Sequence, residues 1–167
     1  MHAFTALVRK PGLKFSQALS VHPQKNNIDL ASALLQHEGY VKALQEIGGK
    51  VEHLPPQDHL PDATFVEDTA VILHDKILLC PMKEPSRQEE VQSIASVLKT
   101  HGDCMKLDSY ATLDGGDVMQ TPDAIFVGLS NRTNLQAITA LAKLTSKKVI
   151  PVAATKGLHL KSAATYL

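Results

Sequence analysis

The sequence repeats one order of predicted secondary-structure elements, and this repetition limits the possible folds more than any other feature. Apolar runs typical of a β-hairpin are followed by an amphipathic helix and then by a short strand. The predicted helices begin near residues 28, 86 and 134, a spacing of roughly fifty residues. Modules of this size bury their apolar faces against neighbouring modules. We therefore expect an α/β fold assembled from successive modules, as in a propeller.

The first module begins with a strand at Phe4–Arg9 and continues through a loop at 10–26. A loop of this length is uncommon in a compact domain unless it has a function. A helix is predicted over 28–47, because Leu30, Leu34 and Val41 lie on one stripe. The glycines at 48 and 49 end this helix, and "KVEHL" follows as a strand.

The second and third modules each begin with a hairpin. "TFVEDTAVIL" and "KILLCP" form the first hairpin, and a helix at 86–100 follows it, with Ser86 and Glu89 spaced as a capping box. "DVMQT" and "AIFVG" form the second hairpin, and Asn134 is predicted to cap the next helix. "LHLKSAATYL" alternates like a strand that opens a fourth hairpin. An alternative is a complete small α/β domain with an edge strand.

Composition excludes several classes of partner. The 167 residues suit one domain or one incomplete domain, and Lys plus Arg equals Asp plus Glu at 17 each. A balanced charge predicts no nucleic acid and no anionic membrane as partner. The apolar run "AFTALV" is too short for a signal or a membrane span, which favours the cytoplasm. Cys80 and Cys104 are expected to be reduced thiols rather than a disulfide.

Three polar clusters interrupt the apolar strands. Asp62, Glu67 and Asp68 come first, and a carboxylate on a packed face needs a cation, either a ligand or an internal salt-bridge partner. Asp114 and Asp117 flank a glycine pair that allows unusual backbone angles and close approach, although Asp-Gly is also common in tight turns.

Arginine and histidine complete this polar set. Arg87 and Arg132 begin two successive helices, where a cation is unfavourable unless it binds an anion; the alternative is a pair of solvated side chains. His159 is either a core residue or a catalytic one. The other histidines lack metal-ligand spacing, so we predict neither a metal nor any other cofactor.

In "LPDATFVEDTAVI", "SRQEE", "LDGGDVM", "VGLSNRTN" and "GLHLKS" the sequence resembles the dimethylarginine dimethylaminohydrolase family of the amidinotransferase-like superfamily. The resemblance runs from the first strand to the last residue. It implies a five-module α/β-propeller (pentein) that hydrolyses N-methylated arginine, a small-molecule substrate, to citrulline and a methylamine. On this basis residues 1–167 form an incomplete propeller domain with about three modules.

The resemblance also assigns roles to individual residues. His159 would be the general acid and base, and Asp114 would orient it. The carboxylates of the first polar cluster would surround the substrate guanidinium, the two arginines would hold its α-carboxylate, and a leucine of the first loop would cover the site. These substrate-binding residues are Leu19, Asp62, Glu67, Asp68, Arg87 and Arg132.

One part of the family pattern is missing. The family's nucleophile is a cysteine near the C-terminus of a longer chain, and neither Cys80 nor Cys104 lies in a matching motif. We therefore expect this chain to be inactive alone, and its open strand edges to favour pairing with a second copy. The alternatives are a related arginine deiminase or amidinotransferase, and a non-catalytic protein that binds arginine derivatives or another partner.

Overall fold

The computed structural model describes residues 4–155 and 157–166. The chain divides into two compact units, Met1–Val66 and Glu67–Leu167. No helix in the described ranges combines the length and the apolar character that a membrane crossing requires.

The described part of the first unit contains two strands and one α-helix, with two short 3₁₀ turns in the loop before the helix. Strand β1, Thr5–Val8, pairs in parallel with β2, Lys50–His53. Helix α1, Leu30–Glu46, connects them and begins at Asp29, whose side chain accepts a hydrogen bond from the Ser32 amide at 2.8 Å. The strands and helix of the first module are thus confirmed, and a glycine at position 48 with a φ of +90° follows the helix, a backbone angle that favours glycine.

The second unit contains two modules of the predicted kind. In the first, the strands are β3 (Ala70–Ile72), β4 (Ile77–Leu79) and β5 (Cys104–Met105), and the helix is α2 (Gln88–Leu98). In the second, the strands are β6 (Val118–Gln120), β7 (Ala124–Leu129) and β8 (Lys148–Ala153), and the helix is α3 (Leu135–Ala142). In both sheets an antiparallel hairpin is extended by a parallel strand after the helix.

A single apolar core joins these two modules. It includes Leu78 of β4, Ile125 and Val127 of β7, and Leu141 of α3, all of which are fully buried. The predicted cap of α3 is confirmed, because the Asn134 side chain accepts a hydrogen bond from the Ala137 amide.

The strand predicted over 157–167 is wrong within the described residues. They form a 3₁₀ turn at Leu160–Ser162. Leu158 is 52% exposed, whereas its neighbours His159 and Leu160 are both buried. Consecutive buried side chains do not fit the two-residue period of a strand, and the turn accommodates them.

Two further local predictions are also wrong. Glu67 and Asp68 lie in a 3₁₀ turn that ends at Thr69, not in a strand. Among the described residues no side chain caps α2, so Ser86 and Glu89 do not form a capping box there. Instead a 3₁₀ turn at Pro85–Arg87 leads into the helix.

Candidate functional site

Three of the predicted polar residues lie in, or directly before, 3₁₀ turns of the second unit. Asp68 lies in the turn directly before β3, and Asp114 directly precedes the turn Gly115–Asp117 that leads into β6. His159 directly precedes the turn Leu160–Ser162. The first two turns have equivalent positions in successive modules. Modular repetition therefore explains how residues distant in sequence come together.

The glycine pair between Asp114 and Asp117 lets these turns approach closely. A Cβ atom on Gly116 would lie 2.6 Å from Asp68 Oδ1 and 2.7 Å from His159 Cδ2, and one on Gly115 would overlap the Glu67 carbonyl oxygen. Neither glycine has a positive φ. The pair is therefore required for space rather than for unusual backbone angles.

His159 is surrounded by three carboxylates. Its Nε2 lies 3.7 Å from Asp68 Oδ1 and 3.8 Å from Asp114 Oδ2, and its Nδ1 lies 3.5 Å from Asp117 Oδ2. The ring is 7% exposed. Among the described residues, neither ring nitrogen nor Asp114 Oδ1 has a hydrogen-bond partner. Buried polar atoms are rarely left in this state, so they are well placed to bind a polar ligand.

The cluster shifts the pKa values of its own members. Burial alone lowers the pKa of His159, but Asp117, Asp68 and Asp114 outweigh it, so the His159 pKa is raised. Burial and the Asp68 charge raise the pKa of Asp114 to about 6, against the opposing charges of Arg132, Arg87 and His159. An acid and a base held side by side with shifted pKa values can exchange protons with a substrate.

The two arginines have different surroundings. Arg87 is buried; its Nε and Nη2 donate to Glu90 at 3.0–3.2 Å, and its Nη1 donates to Asp68 Oδ2 at 2.9 Å. Arg132 is less buried, with its Nη1 3.3 Å from Asp114 Oδ2 and its Nε 3.7 Å from Glu84 Oε1. Carboxylates of the chain thus hold most of the Arg87 guanidinium, and Arg132 is better placed for a ligand.

The other predicted substrate-binding residues are distributed over both units. In the second unit Glu67 is exposed, and Lys161 Nζ lies 2.6 Å from its Oε1. In the first unit Asp62 is buried, and both of its carboxylate oxygens accept hydrogen bonds from the Leu19 amide at 3.1 and 3.2 Å. The first loop is thereby attached to Asp62.

Neither cysteine has the environment of a nucleophile. Cys80 and Cys104 are free thiols, as predicted. Burial, followed by the charges of Asp114 and Asp68, raises the pKa of Cys80 well above its usual value. A thiol that stays protonated is a poor nucleophile. Cys104 is half-buried in β5, and its Sγ lies 3.8 Å from the Gly102 carbonyl oxygen.

A metal ion would find three donor atoms in the same cluster. One atom each of Asp68, Asp114 and His159 lies within 4.8 Å of the other two. However, Arg87 and Arg132 already contact the two carboxylates. These cations supply the positive charge that a metal would bring, so we propose no metal here.

Two residues that shape this cluster have no role predicted from the sequence: Glu90 was not singled out, and Asp117 was named only as a member of the second polar cluster. Glu90 is 1% exposed and binds Arg87 from the next turn of the helix. Asp117 is fully buried and contacts His159. The spacing of Arg87 and Glu90, three residues apart on a helix, was a signal for the first. For Asp117 the only signal was its place in "LDGGD".

Comparisons with known proteins identify relatives of this chain. The family model for eukaryotic N,N dimethylarginine dimethylhydrolase matches residues 14–166. The dimethylarginine dimethylaminohydrolase of Streptomyces coelicolor is 34% identical over 166 residues, which cover 97% of this chain and 64% of that protein. Its namesake from Pseudomonas aeruginosa is 30% identical over 144 residues, covering 83% and 57%.

A solved structure is similar as well. It is a cysteine-to-serine mutant of the Pseudomonas aeruginosa protein in complex with citrulline, with a TM-score of 0.93 at 26% identity, covering 98% of this chain and 66% of that one. This similarity confirms the predicted fold class, a partial α/β-propeller of the pentein type. The chain spans between 57% and 66% of the length of these relatives. Because the family model matches most of its residues, the chain belongs to the dimethylarginine dimethylaminohydrolase family.

Proposed function

We propose that the cluster around His159 is the acid–base and guanidinium-binding part of a hydrolase that converts N-methylated arginine to citrulline and a methylamine. The observation that carries this proposal is the buried His159 ring, which has carboxylates on both sides and whose nitrogens make no hydrogen bond within the part of the chain that the structure describes. Relatives named dimethylarginine dimethylaminohydrolase, one of them in complex with citrulline, support the same substrate class.

The proposed reaction needs a cation-binding surface and a proton carrier. A guanidinium is a planar cation, and Asp68 offers carboxylate oxygens to its N–H groups. Asp114 keeps its predicted role of orienting His159, whose Nε2 lies 3.8 Å from Asp114 Oδ2. A thiolate attacks the guanidinium carbon, the C–N bond to the methylated nitrogen breaks, and His159 donates the proton that the leaving amine takes up. His159 then removes a proton from water, which cleaves the amidino-thioether to give citrulline and restores the thiol.

The nucleophile is the part of this mechanism that the 167 residues do not supply. The raised pKa of Cys80 argues against a thiolate there, and Cys104 lies outside the cluster. We propose that the catalytic cysteine belongs to residues beyond this sequence, and that 1–167 is an incomplete propeller domain. A non-catalytic protein that binds arginine derivatives is the alternative, and the same thiol environment favours it.

Calorimetric titration of the chain with N,N-dimethylarginine, in parallel with an assay for citrulline, tests the proposal. The proposal offers the ligand only a few charged contacts, which we take to be worth about 0–1 kcal/mol each, so we expect a dissociation constant of roughly millimolar or weaker. We also expect no release of citrulline. Unmethylated arginine, as a second ligand, distinguishes this family from arginine deiminases.

Matched variants decide the outcome. Asp68→Asn should weaken binding by up to about fivefold, whereas Asp123→Asn, an exposed aspartate in the β6–β7 turn, should leave it unchanged. Circular dichroism of both variants checks that they are folded. Equal affinity of Asp68→Asn and the unmodified chain would contradict the assignment. Micromolar binding without turnover would favour the non-catalytic alternative, and turnover lost on Cys80→Ser would identify Cys80 as the nucleophile.

A further inference from the structure

Asp117 carries a buried carboxylate for which the sequence alone predicted no role. Its side chain is fully buried at the end of the turn before β6. Its Oδ2 accepts hydrogen bonds from Ser130 Oγ and Thr133 Oγ1, both at 2.7 Å. Its Oδ1 accepts one from the Leu160 amide at 2.9 Å.

These bonds fix the segment that holds the histidine. Leu160 directly follows His159, so the bond to its amide holds the backbone beside the ring. The same carboxylate lies 3.5 Å from His159 Nδ1. The opposite nitrogen, Nε2, faces Asp68 and Asp114 at 3.7 and 3.8 Å. Asp117 therefore contacts only one side of the imidazole and leaves the other to the cluster.

We propose that Asp117 is the positioning residue for His159: it holds a proton on Nδ1, so that Nε2 is the nitrogen that exchanges protons with a ligand. In a neutral imidazole one nitrogen carries hydrogen and the other accepts. Asp117 is the nearest carboxylate to the ring, at 3.5 Å from Nδ1, and the two carboxylates beside Nε2 are already paired with arginines, so Nδ1–H is favoured. The role in catalysis rests on the proposed function, whereas the choice of tautomer does not.

Other charged groups also act on His159. Asp68 and Asp114 face Nε2, and behind them Arg87 and Arg132 pair with those carboxylates. Lys161, two residues further along the chain, pairs with Glu67. Hydrogen bonds to Asp117 lower its own pKa, although burial opposes them. It thus remains ionised wherever the histidine titrates.

Nitrogen-15 NMR of the His159 ring in the 167-residue chain tests the proposal without any substrate. In the wild type above the titration midpoint, we expect the shifts of the Nδ1–H tautomer. Asp117→Asn removes the charge, so the midpoint should move to lower pH. Ser130→Ala removes one hydrogen bond to the same carboxylate but no charge, and it should move the midpoint less.

Two outcomes overturn the proposal. The first is a dominant Nε2–H tautomer in the wild type. This measurement needs no variant, so it tests the proposal even if Asp117→Asn does not fold. The second is an unchanged midpoint in a folded Asp117→Asn chain. Failure of dimethylarginine to bind would count against the proposed function and not against this positioning role.

Discussion

The starts of α2 and α3 lie at equivalent points of two successive modules, yet they are stabilised in different ways. At α2 the arginine, Arg87, is buried among carboxylates, and no capping side chain is found in the described residues. At α3 the arginine, Arg132, is partly exposed, and Asn134 caps the helix. The arginine near the start of the helix is thus held among carboxylates in one module and is partly exposed in the next.

The difference follows from the neighbouring acidic residues. Glu90 lies one helical turn after Arg87 and places a second buried carboxylate against the guanidinium. The equivalent region of α3 offers no acidic residue in its first turn. Arg132 therefore reaches towards Asp114 and Glu84 instead. One local acidic residue decides whether the arginine is held within the fold.

The largest expected effect comes from removing each arginine in turn. Arg87→Gln leaves Glu90 and Asp68 as uncompensated buried charges, which costs about 3–5 kcal/mol in the free energy of unfolding. Arg132→Gln should cost clearly less, because Glu84 is only half-buried and Asp114 can take up a proton. Urea unfolding of the two variants measures both values. Equal losses would remove the distinction between the two arginines.

The next largest effect is the pH dependence of the unfolding free energy that comes from Asp114, the partner of Arg132. The folded-state pKa of Asp114 is about 6, above its usual value of 3.8. A raised pKa means that the folded state binds the proton more tightly, so this contribution to stability is complete below pH 3.8 and is lost as pH rises through 6. Asp114→Asn should therefore flatten the fall of the unfolding free energy between pH 4 and 6.

Unfolding of Asp108→Asn over the same pH range is the control, because Asp108 is exposed. If the unfolding free energy of Asp114→Asn still falls as steeply between pH 4 and 6, other titrating groups cause the fall. The raised pKa of His159 adds a loss of the same sign at higher pH, above about 6.5. The lowered pKa of Asp117 acts in the opposite direction, and its contribution is lost only as pH falls below the usual carboxyl range.

A smaller effect is expected at the cap of α3. Asn134→Ala removes the bond to the Ala137 amide and also a bond that Asn134 Nδ2 donates to the Tyr110 carbonyl. Loss of a capping side chain typically costs about 1 kcal/mol. Thermal unfolding measures the loss, and Asn134→Asp, which keeps the capping oxygen, should recover most of it. Failure of Asn134→Asp to recover stability would argue against the capping role.

The smallest effect is expected at the start of α2. Ser86 and Glu89 match a capping box in sequence, but both are exposed, and Ser86 lies in the preceding 3₁₀ turn. We expect Ser86→Ala to change the unfolding free energy by less than about 0.5 kcal/mol, as is usual for surface positions. If Ser86→Ala lost as much stability as Asn134→Ala, the capping box would be supported after all, and the starts of α2 and α3 would be stabilised in similar ways.

Sequence patterns predicted most of the local structure. The two hairpins, the three helices and the cap at Asn134 depend on periods and contacts within a few residues, so they could be read from the chain. The capping box predicted at Ser86 was wrong, because the start of α2 depends on a contact between residues far apart in the sequence. Arg87 binds Asp68, which is 19 residues away in sequence, and no local pattern reveals that contact.

The candidate site divides in the same way. The sequence by itself determined the residue types and their module positions: Asp68, Asp114 and His159, and the glycines whose absent side chains leave room for them. Only the tertiary structure decided which atoms face each other. Asp117 against Nδ1, Asp68 and Asp114 against Nε2, and the turn in place of a last strand all depend on packing between turns far apart in the chain. Such contacts are set by three-dimensional distance and burial, which sequence spacing does not encode.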